Sequence, residues 1–380
     1  MININSDTNP SQINDRNDQN NQNEILSTIS KLKQKLKDVV VILGHHYQQD
    51  DIIQFADVVG DSLILSQTAA KLDKPYIVFC GVHFMAETAD ILCNSRLSNS
   101  RQQQKVILPD LSAGCSMADM ANINDVETAW NILTEVQQRT KNVNKIIPIT
   151  YINCAADLKA FVGKHGGYIC TSSNAEKVIS HALKFAEQLL FFPDQHLGRN
   201  TCYRMGIPLE QMPLYRPTLP SGGLSSEEIA NAKVILWDGY CSVHQVFLIE
   251  QIVAIRATTP DIKIIVHPEC SFDVVQAADL VGSTAYISQV IADAPPGSKF
   301  AVGTEINLVN RLAKRFPQKE IHSLSHPYPC LCSTMYRIQP KALLAALRSI
   351  ENKKPINVIS VNAEIREAAL LALQRMLEIS

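Results

Sequence analysis

Three short stretches place polar, titratable side chains two residues apart where apolar runs end. In "GHHYQ" His45 and Tyr47 flank His46, in "TYINC" Tyr151 and Asn153 flank Ile152, and in "HPE" His267 and Glu269 flank Pro268. On an extended segment residues i and i+2 project to one side, so each pair faces one way and its middle residue the other. An imidazole beside a carboxylate, as at His267 and Glu269, is able to act as a proton-transferring pair. The same residues also make ordinary surface hydrogen bonds. Hydroxyls gather in "TSSNAEKV" (Thr171, Ser172, Ser173) and in "VGSTAYI" (Ser283, Thr284), each ahead of a helix-like run. They either cradle an oxyanion or phosphate or cap the helix that follows. "GDSL" (60–63) reads as the interior of a helical stretch, which argues against a hydrolase nucleophile turn at Ser62.

The chain has ten cysteines. "PDLSAGCSMADM" sets Cys115 after a strand end and a Ser-Ala-Gly turn, just before a helix start, and "WDGYCSVHQVF" sets Cys241 in the same situation. "HPYPCLCSTM" offers Cys330 and Cys332. Amides at a helix start favour a thiolate. No CxxC pair exists, so zinc-ribbon spacing is absent. Three thiols from distant segments, if they converge, could hold a [4Fe–4S] cluster with one iron open. By spacing alone, buried filler is the stronger reading of each.

The elements that must position these residues come from composition and repetition. A chain of 380 residues fits two or three domains. Hydrophobic residues make up 46% and the mean hydropathy is −0.02, as in a globular protein. With 35 basic against 37 acidic residues the net charge is −2, so no basic excess points to nucleic acid or an anionic membrane. There is no apolar run long enough to span a bilayer and no secretory leader at the start. A cytoplasmic location, with reduced thiols, is expected. Residues 1–22, rich in Asn, Gln and Asp, are expected to form an unstructured extension.

From residue 39 onward, short β-rich runs alternate with helical stretches, which predicts parallel sheets covered by helices. The alternation reads as three repeated units, 23–117, 118–232 and 233–338, followed by a helical segment, 339–380, that packs back on the body. First strands end in "GHHYQ", "TYINC" and "WDGYC". Second strands run into "CGVHFMAETAD", "CTSSNAEKV" and "HPECSFDVV", and third strands end in "LPDLSAGC", "FPDQHLGRN" and "VGTEINLVN". Ligands bind at the carboxyl ends of strands in such sheets, so three such ends facing one another would enclose a central cleft.

Taken in order, "GHHYQ…ADVVGDSL", "VFCGVHFMAETA", "LPDLSAGCSMAD", "TYIN", "CTSSNA", "FPDQHLG", "GYCSVH", "HPE", "VGST" and "VGTE" resemble the quinolinate synthase family. The resemblance runs from about residue 39 to 305 and fades beyond. It implies an α/β fold of three pseudo-symmetric α/β/α sandwich domains with parallel sheets around a central active site. It implies an enzyme of de novo NAD biosynthesis that condenses iminoaspartate with dihydroxyacetone phosphate, releasing phosphate and two waters. The implied cofactor is one [4Fe–4S] cluster with three cysteine ligands and one open iron. Cys115 and Cys241 match the first two ligands. Relatives place the third in a Cys-x-x-Met turn, which Cys332 fits with Met335 and Cys330 does not. His45, Ser62, Tyr151, Asn153, Ser172, His267, Glu269 and Thr284 match substrate-binding positions, with Ser173 and Ser283 as neighbours that share the hydroxyl motifs. Tyr47, His267 and Glu269 match positions of proton transfer and dehydration. Because iminoaspartate is labile, a transient handover from the enzyme that makes it is a further implied partnership. Apart from the resemblance, the residues also admit a zinc hydrolase built on His and Cys, or an iron–sulfur sensor without turnover.

Overall fold

A computed structural model describes residues 10–95, 103–139 and 145–379, with the backbone alone for 10–18 and 20. The apolar runs form strands because they are rich in Val, Ile and Phe, residues that pack well on a pleated surface. They lie in three sheets. The first holds β1 (Val40–His45), β2 (Val58–Gly60), β3 (Tyr76–Cys80) and β4 (Lys105–Ile107). The second holds β5 (Ile146–Tyr151), β6 (Tyr168–Cys170), β7 (Gln188–Phe192), β8 (Leu214–Tyr215) and β9 (Val234–Trp237). The third holds β10 (Lys263–Val266), β11 (Leu280–Val281), β12 (Lys299–Gly303) and β13 (Glu320–Ser323), and β14 (Val358–Ile359) returns to the first sheet. Every pairing is parallel except that of β14 with β4.

The three sheets share one strand order. It runs β2-β1-β3-β4 in the first, β6-β5-β7-β9 in the second and β11-β10-β12-β13 in the third, with β8 and β14 added at edges. Register makes the equivalence residue by residue. Gly44 pairs with Cys80, Thr150 with Phe192 and Val266 with Gly303 across the central strands. On the other side Gly44 pairs with Val59, Thr150 with Ile169 and Val266 with Val281.

This corrects the repeat as aligned from sequence. The "WDGYC" strand is β9, the fourth strand of the second sheet, so the third unit does not begin at 233. Its first strand is β10, ending in "HPE". "LPDLSAGC" likewise follows β4, a fourth strand. The error arose from β2 and β11, which span only two or three residues and give almost no periodic signal. "GDSL" is corrected with them: β2 precedes it, and Ser62 opens the helix Ser62–Ala69. The expected unstructured extension is corrected in part. Residues 1–9 lie outside the described residues, and the helix Pro10–Leu36 covers the remainder. Its buried Ile29, Leu32 and Leu36 pack on the first core, so the polar stretch continues a helix anchored further along.

The segment after 338 splits between two units. Helix Pro340–Glu351 packs on Pro10–Leu36, β14 adds an edge strand beside β4, and helix Ala363–Ile379 packs on Ala156–Lys164. A Cβ at Gly163 would lie 1.9 Å from the Ala368 carbonyl, so the last two helices touch backbone to backbone. Among the described residues no helix is long and apolar enough to cross a membrane.

Candidate active site

Carboxyl ends of all three sheets open into one pocket. It encloses about 620 Å³ of space not filled by protein atoms. The twelve residues matched above to ligand, substrate-binding and proton-transfer positions line it: His45, Tyr47, Ser62, Cys115, Tyr151, Asn153, Ser172, Cys241, His267, Glu269, Thr284 and Cys332.

First strands contribute the i,i+2 pairs at matching positions. Register sets His45, Tyr151 and His267 level with one another, and Tyr47, Asn153 and Glu269 two residues further on. Second strands contribute hydroxyls in the same manner. Ser62, Ser172 and Thr284 are equivalent, each three residues past a matched ladder position. Asp61 and Ser283, the residues before two of them, cap the following helices by accepting Ile64 N–H at 2.9 Å and Tyr286 N–H at 3.3 Å. Ser173 donates its hydroxyl to Asp61 at 2.7 Å and does not line the pocket, whereas Ser172 does. Three hydroxyls at or ahead of helix starts give an arrangement that suits anions.

The proton-handling groups form a connected set. Tyr47 Oη lies 2.8 Å from Thr304 Oγ1 and 3.5 Å from His244 Nε2, and His244 Nε2 lies 3.3 Å from Thr304 Oγ1. The other nitrogen of His244 is 2.6 Å from Glu269 Oε2, and His267 Nδ1 is 3.6 Å from the same oxygen. The two imidazoles stack at 4.4 Å with planes 15° apart. Burial dominates the titration. It lowers His45 and His267 to about 3, leaving both neutral near pH 7, and raises the Tyr47 and Tyr151 hydroxyls well above their usual value of 10. Burial also pushes the Glu269 carboxyl upward, but the adjoining His267 and His244 and the Tyr151 hydroxyl outweigh it and hold the group below the ordinary carboxylate range.

The cysteines come from fourth strands. Cys115 follows β4, Cys241 follows β9 and Cys332 follows β13, eight, four and nine residues beyond the strand ends at Ile107, Trp237 and Ser323, and each starts a short helical turn. Their thiols sense one another electrostatically across the pocket. Burial pushes Cys115 up to about 12, Cys241 well above 9 and Cys332 upward as well. The expectation that helix-start amides would stabilise thiolates here is therefore corrected. Amides of Met117 and Ala118 do reach Cys115, but desolvation outweighs them. Cys330 faces elsewhere: its Sγ donates to the Val243 carbonyl at 2.8 Å inside the third core.

Three half-buried thiols, converging from three sheets beside Val82, Met117, Val243 and Met335, suit a soft multivalent cationic group. The donor set fits a cluster with three protein ligands. A second grouping is also present, since Cys241, His244 and Glu269 offer donor atoms within 4.8 Å of one another. Sequence reasoning overlooked His244, Thr304 and Asp61, while Thr171, one of the hydroxyls singled out above, lines the pocket beside Ser172. A signal for His244 existed in the recurrence of Cys-Ser after each fourth strand, as "CSMA", "CSVH" and "CSTM". That recurrence marks the residues just after the cysteine as equivalent and pocket-facing, and Met117, Val243, Thr334 and Met335 do line it.

Comparison with known proteins follows the same outline. The sequence profile of the quinolinate synthetase A protein family matches residues 27–378. Quinolinate synthase of Anoxybacillus flavithermus is 53% identical over 358 residues, 93% of each chain. Quinolinate synthase of Corynebacterium glutamicum is 52% identical over 94% of this chain and 88% of its own. That of Herpetosiphon aurantiacus is 51% identical over 94% and 93%.

Proposed function

The chain belongs to the quinolinate synthase family, and from that premise we propose that it condenses iminoaspartate with dihydroxyacetone phosphate to quinolinate in de novo NAD biosynthesis. Phosphate and two waters leave, in a transferase-class reaction located in the cytoplasm. Cys115, Cys241 and Cys332 would hold one [4Fe–4S] cluster. When bound, that group supplies a Lewis-acidic iron for an oxygen of the substrate.

The chain's own residues supply binding and proton movement. Both substrates are small anions, and Ser62, Ser172 and Thr284 offer hydroxyls at or ahead of helix starts, where backbone N–H groups favour negative charge. His45, Tyr151 and Asn153 add neutral donors and acceptors, and Asn153 has a buried side-chain oxygen with no partner inside the protein. Tyr47 keeps its proton at neutral pH and is placed to give it to a departing hydroxyl. Thr304 and His244 touch Tyr47, and Glu269 touches His244, so a proton can be restored along that line. His267, neutral and stacked on His244, is the acceptor on the other side of Glu269. A transient handover of labile iminoaspartate from its source enzyme is part of the same proposal.

The observation that carries this reading is the matched origin of the three cysteines, one after the fourth strand of each sheet, opening on the polar ends of the first and second strands. The test is anaerobic purification, iron and sulfide counting, and an assay for quinolinate. Iron and sulfide near four per chain with turnover are expected. A fully loaded protein that makes no quinolinate would instead point to a sensor. The Cys241, His244 and Glu269 grouping keeps a zinc hydrolase in view: a colourless protein with one zinc and no sulfide would favour it.

A further inference from the structure

All three units close their cysteine loops with one shared contact. The first helical residue after the third strand donates its N–H to the carbonyl two residues before the cysteine. These bonds run from His83 to Ala113 at 2.8 Å, from Gln195 to Gly239 at 2.9 Å and from Ile306 to Cys330 at 2.9 Å. The residue just ahead of that helix is thereby brought toward the cysteine's own amide. In the second and third units it is a fully buried carboxylate, Asp194 or Glu305. In the first unit it is Val82, which gives its helix no side-chain cap.

Each carboxylate has two tasks in the geometry. Glu305 Oε2 accepts the Asn307 N–H at 2.8 Å, while Oε1 accepts the Asn307 side-chain amide at 2.9 Å and the Cys332 N–H at 3.4 Å. Asp194 Oδ1 accepts the Leu197 N–H at 2.7 Å, and the neighbouring Gln195 N–H on the Gly239 carbonyl draws the Cys241 backbone alongside, close enough for its N–H to favour the carboxylate form. Its Oδ2 has no close partner. A helix cap alone does not call for a buried carboxyl group, because Asn or Ser caps as well and burying an acid is costly. A second duty toward the cysteine accounts for the choice, and groups that orient metal ligands are commonly carboxylates.

We propose that Asp194 and Glu305 are positioning residues for Cys241 and Cys332. Each ties the cysteine's backbone to the strand-to-helix corner of its own unit, so that two thiols are set before a cluster arrives. Cys115, beside Val82, lacks this brace and is the thiol that adjusts. This inference rests on the three-cysteine reading above.

The test uses the full chain, reconstituted anaerobically with ferrous iron and sulfide, and follows loss of cluster absorption under EDTA. In Asp194→Ala and Glu305→Ala the rate of loss is expected to rise about tenfold or more, the usual scale for partners of metal ligands. Asp194→Asn and Glu305→Gln keep only one accepting oxygen, so cap and brace cannot both be held, and release should again be faster than wild type. Ser225→Ala removes a cap far from the pocket, where Ser225 accepts the Glu228 N–H at 3.1 Å. It should lower the melting temperature of the unloaded chain without changing cluster loss. If wild type binds neither iron nor sulfide, the three-cysteine reading fails and takes this one with it. Were wild type to load normally while both alanine variants, folded by circular dichroism, released the cluster at its rate, the positioning role alone would be overturned. Should an alanine variant fail to fold, the Asn and Gln variants decide: release ten times faster than wild type, with Ser225→Ala unchanged, supports the role, and wild-type release overturns it.

Discussion

His45, Tyr151 and His267 leave the first strands of their sheets at matching register positions, whereas Cys115, Cys241 and Cys332 leave the fourth strands on loops of unequal length. The first group needs no bracing. Central parallel strands, paired on both sides, fix the backbone to its last residue His45, and the turn that follows, closed by the Gln48 N–H on the His45 carbonyl at 3.0 Å, carries Tyr47 into the same pocket. The second group sits where the ladder has ended. Its geometry depends on contacts outside the strand, namely the shared bond to the neighbouring helix start and, for two of the three, a carboxylate. Groups that meet the substrate are thus set by the sheet, and groups that would hold a cofactor are set by packing around a loop.

This contrast can be broken in several places. Replacing Cys115, Cys241 or Cys332 with Ala has the largest expected effect, reducing bound iron and sulfide to background and abolishing quinolinate formation. Retention of a full cluster by any of the three would remove that residue from the ligand set. Tyr47→Phe should leave iron content unchanged and lower kcat by about 100-fold or more, the scale of a lost acid–base group. A loss of iron there would show that the two regions are not separable. Gly239→Ala strikes the second region alone. Its Cβ would fall 2.3 Å from the Pro193 carbonyl, so the Cys241 loop must shift, with a cost of about 1–3 kcal/mol. Weaker cluster retention is expected, measured as faster loss of absorption. Gly44→Ala, whose Cβ would press on the Ala56 and Ile53 side chains at 2.9 Å, should destabilise the fold and spare retention.

Smaller effects sharpen the boundary. Cys330→Ala should cost about 1–2 kcal/mol of stability from a small cavity and leave iron unchanged. Equal loss of iron from Cys330→Ala and Cys332→Ala would reverse the choice of ligand. The buried histidines predict a pH dependence with a definite sign. His46 and His196 are held near 4 and His45 near 3, against an ordinary value of 6.5, chiefly by burial. Below pH 6.5 the unfolded chain takes up protons that the folded chain refuses, so stability falls as pH drops from 6.5 toward 4. A melting temperature that stays flat from pH 7 to 5 would contradict this.

What was legible in the sequence follows the same division. The i,i+2 pairs were readable because polar residues follow each first strand at once, and all six line the pocket, although Tyr47, Asn153 and Glu269 reach it from the turns beyond the strands rather than by the alternation of an extended segment. The count of three units was readable too, but not their phase. β2 and β11 are too short to show alternation, so the repeat slipped by one strand in the third unit and β9 was credited to the wrong sheet. His244 was missed for a related reason. Its role depends on Glu269 and Thr304, which lie 25 and 60 residues away in sequence and meet it only after the third sheet has formed. Asp194 and Glu305 could not be told from ordinary caps until the cysteine amides were seen beside them.

The route of the last forty residues bears on how the protein can be handled. Because β14 seals the edge of the first sheet and helix Ala363–Ile379 lies against helix Ala156–Lys164, shortening the chain at 338 would open a strand edge and bare two apolar faces at once. Exposed edges and patches of that kind lead to aggregation. A trimmed version designed around the pocket would therefore be lost to insolubility before its chemistry could be judged, even though none of the trimmed residues lines the pocket.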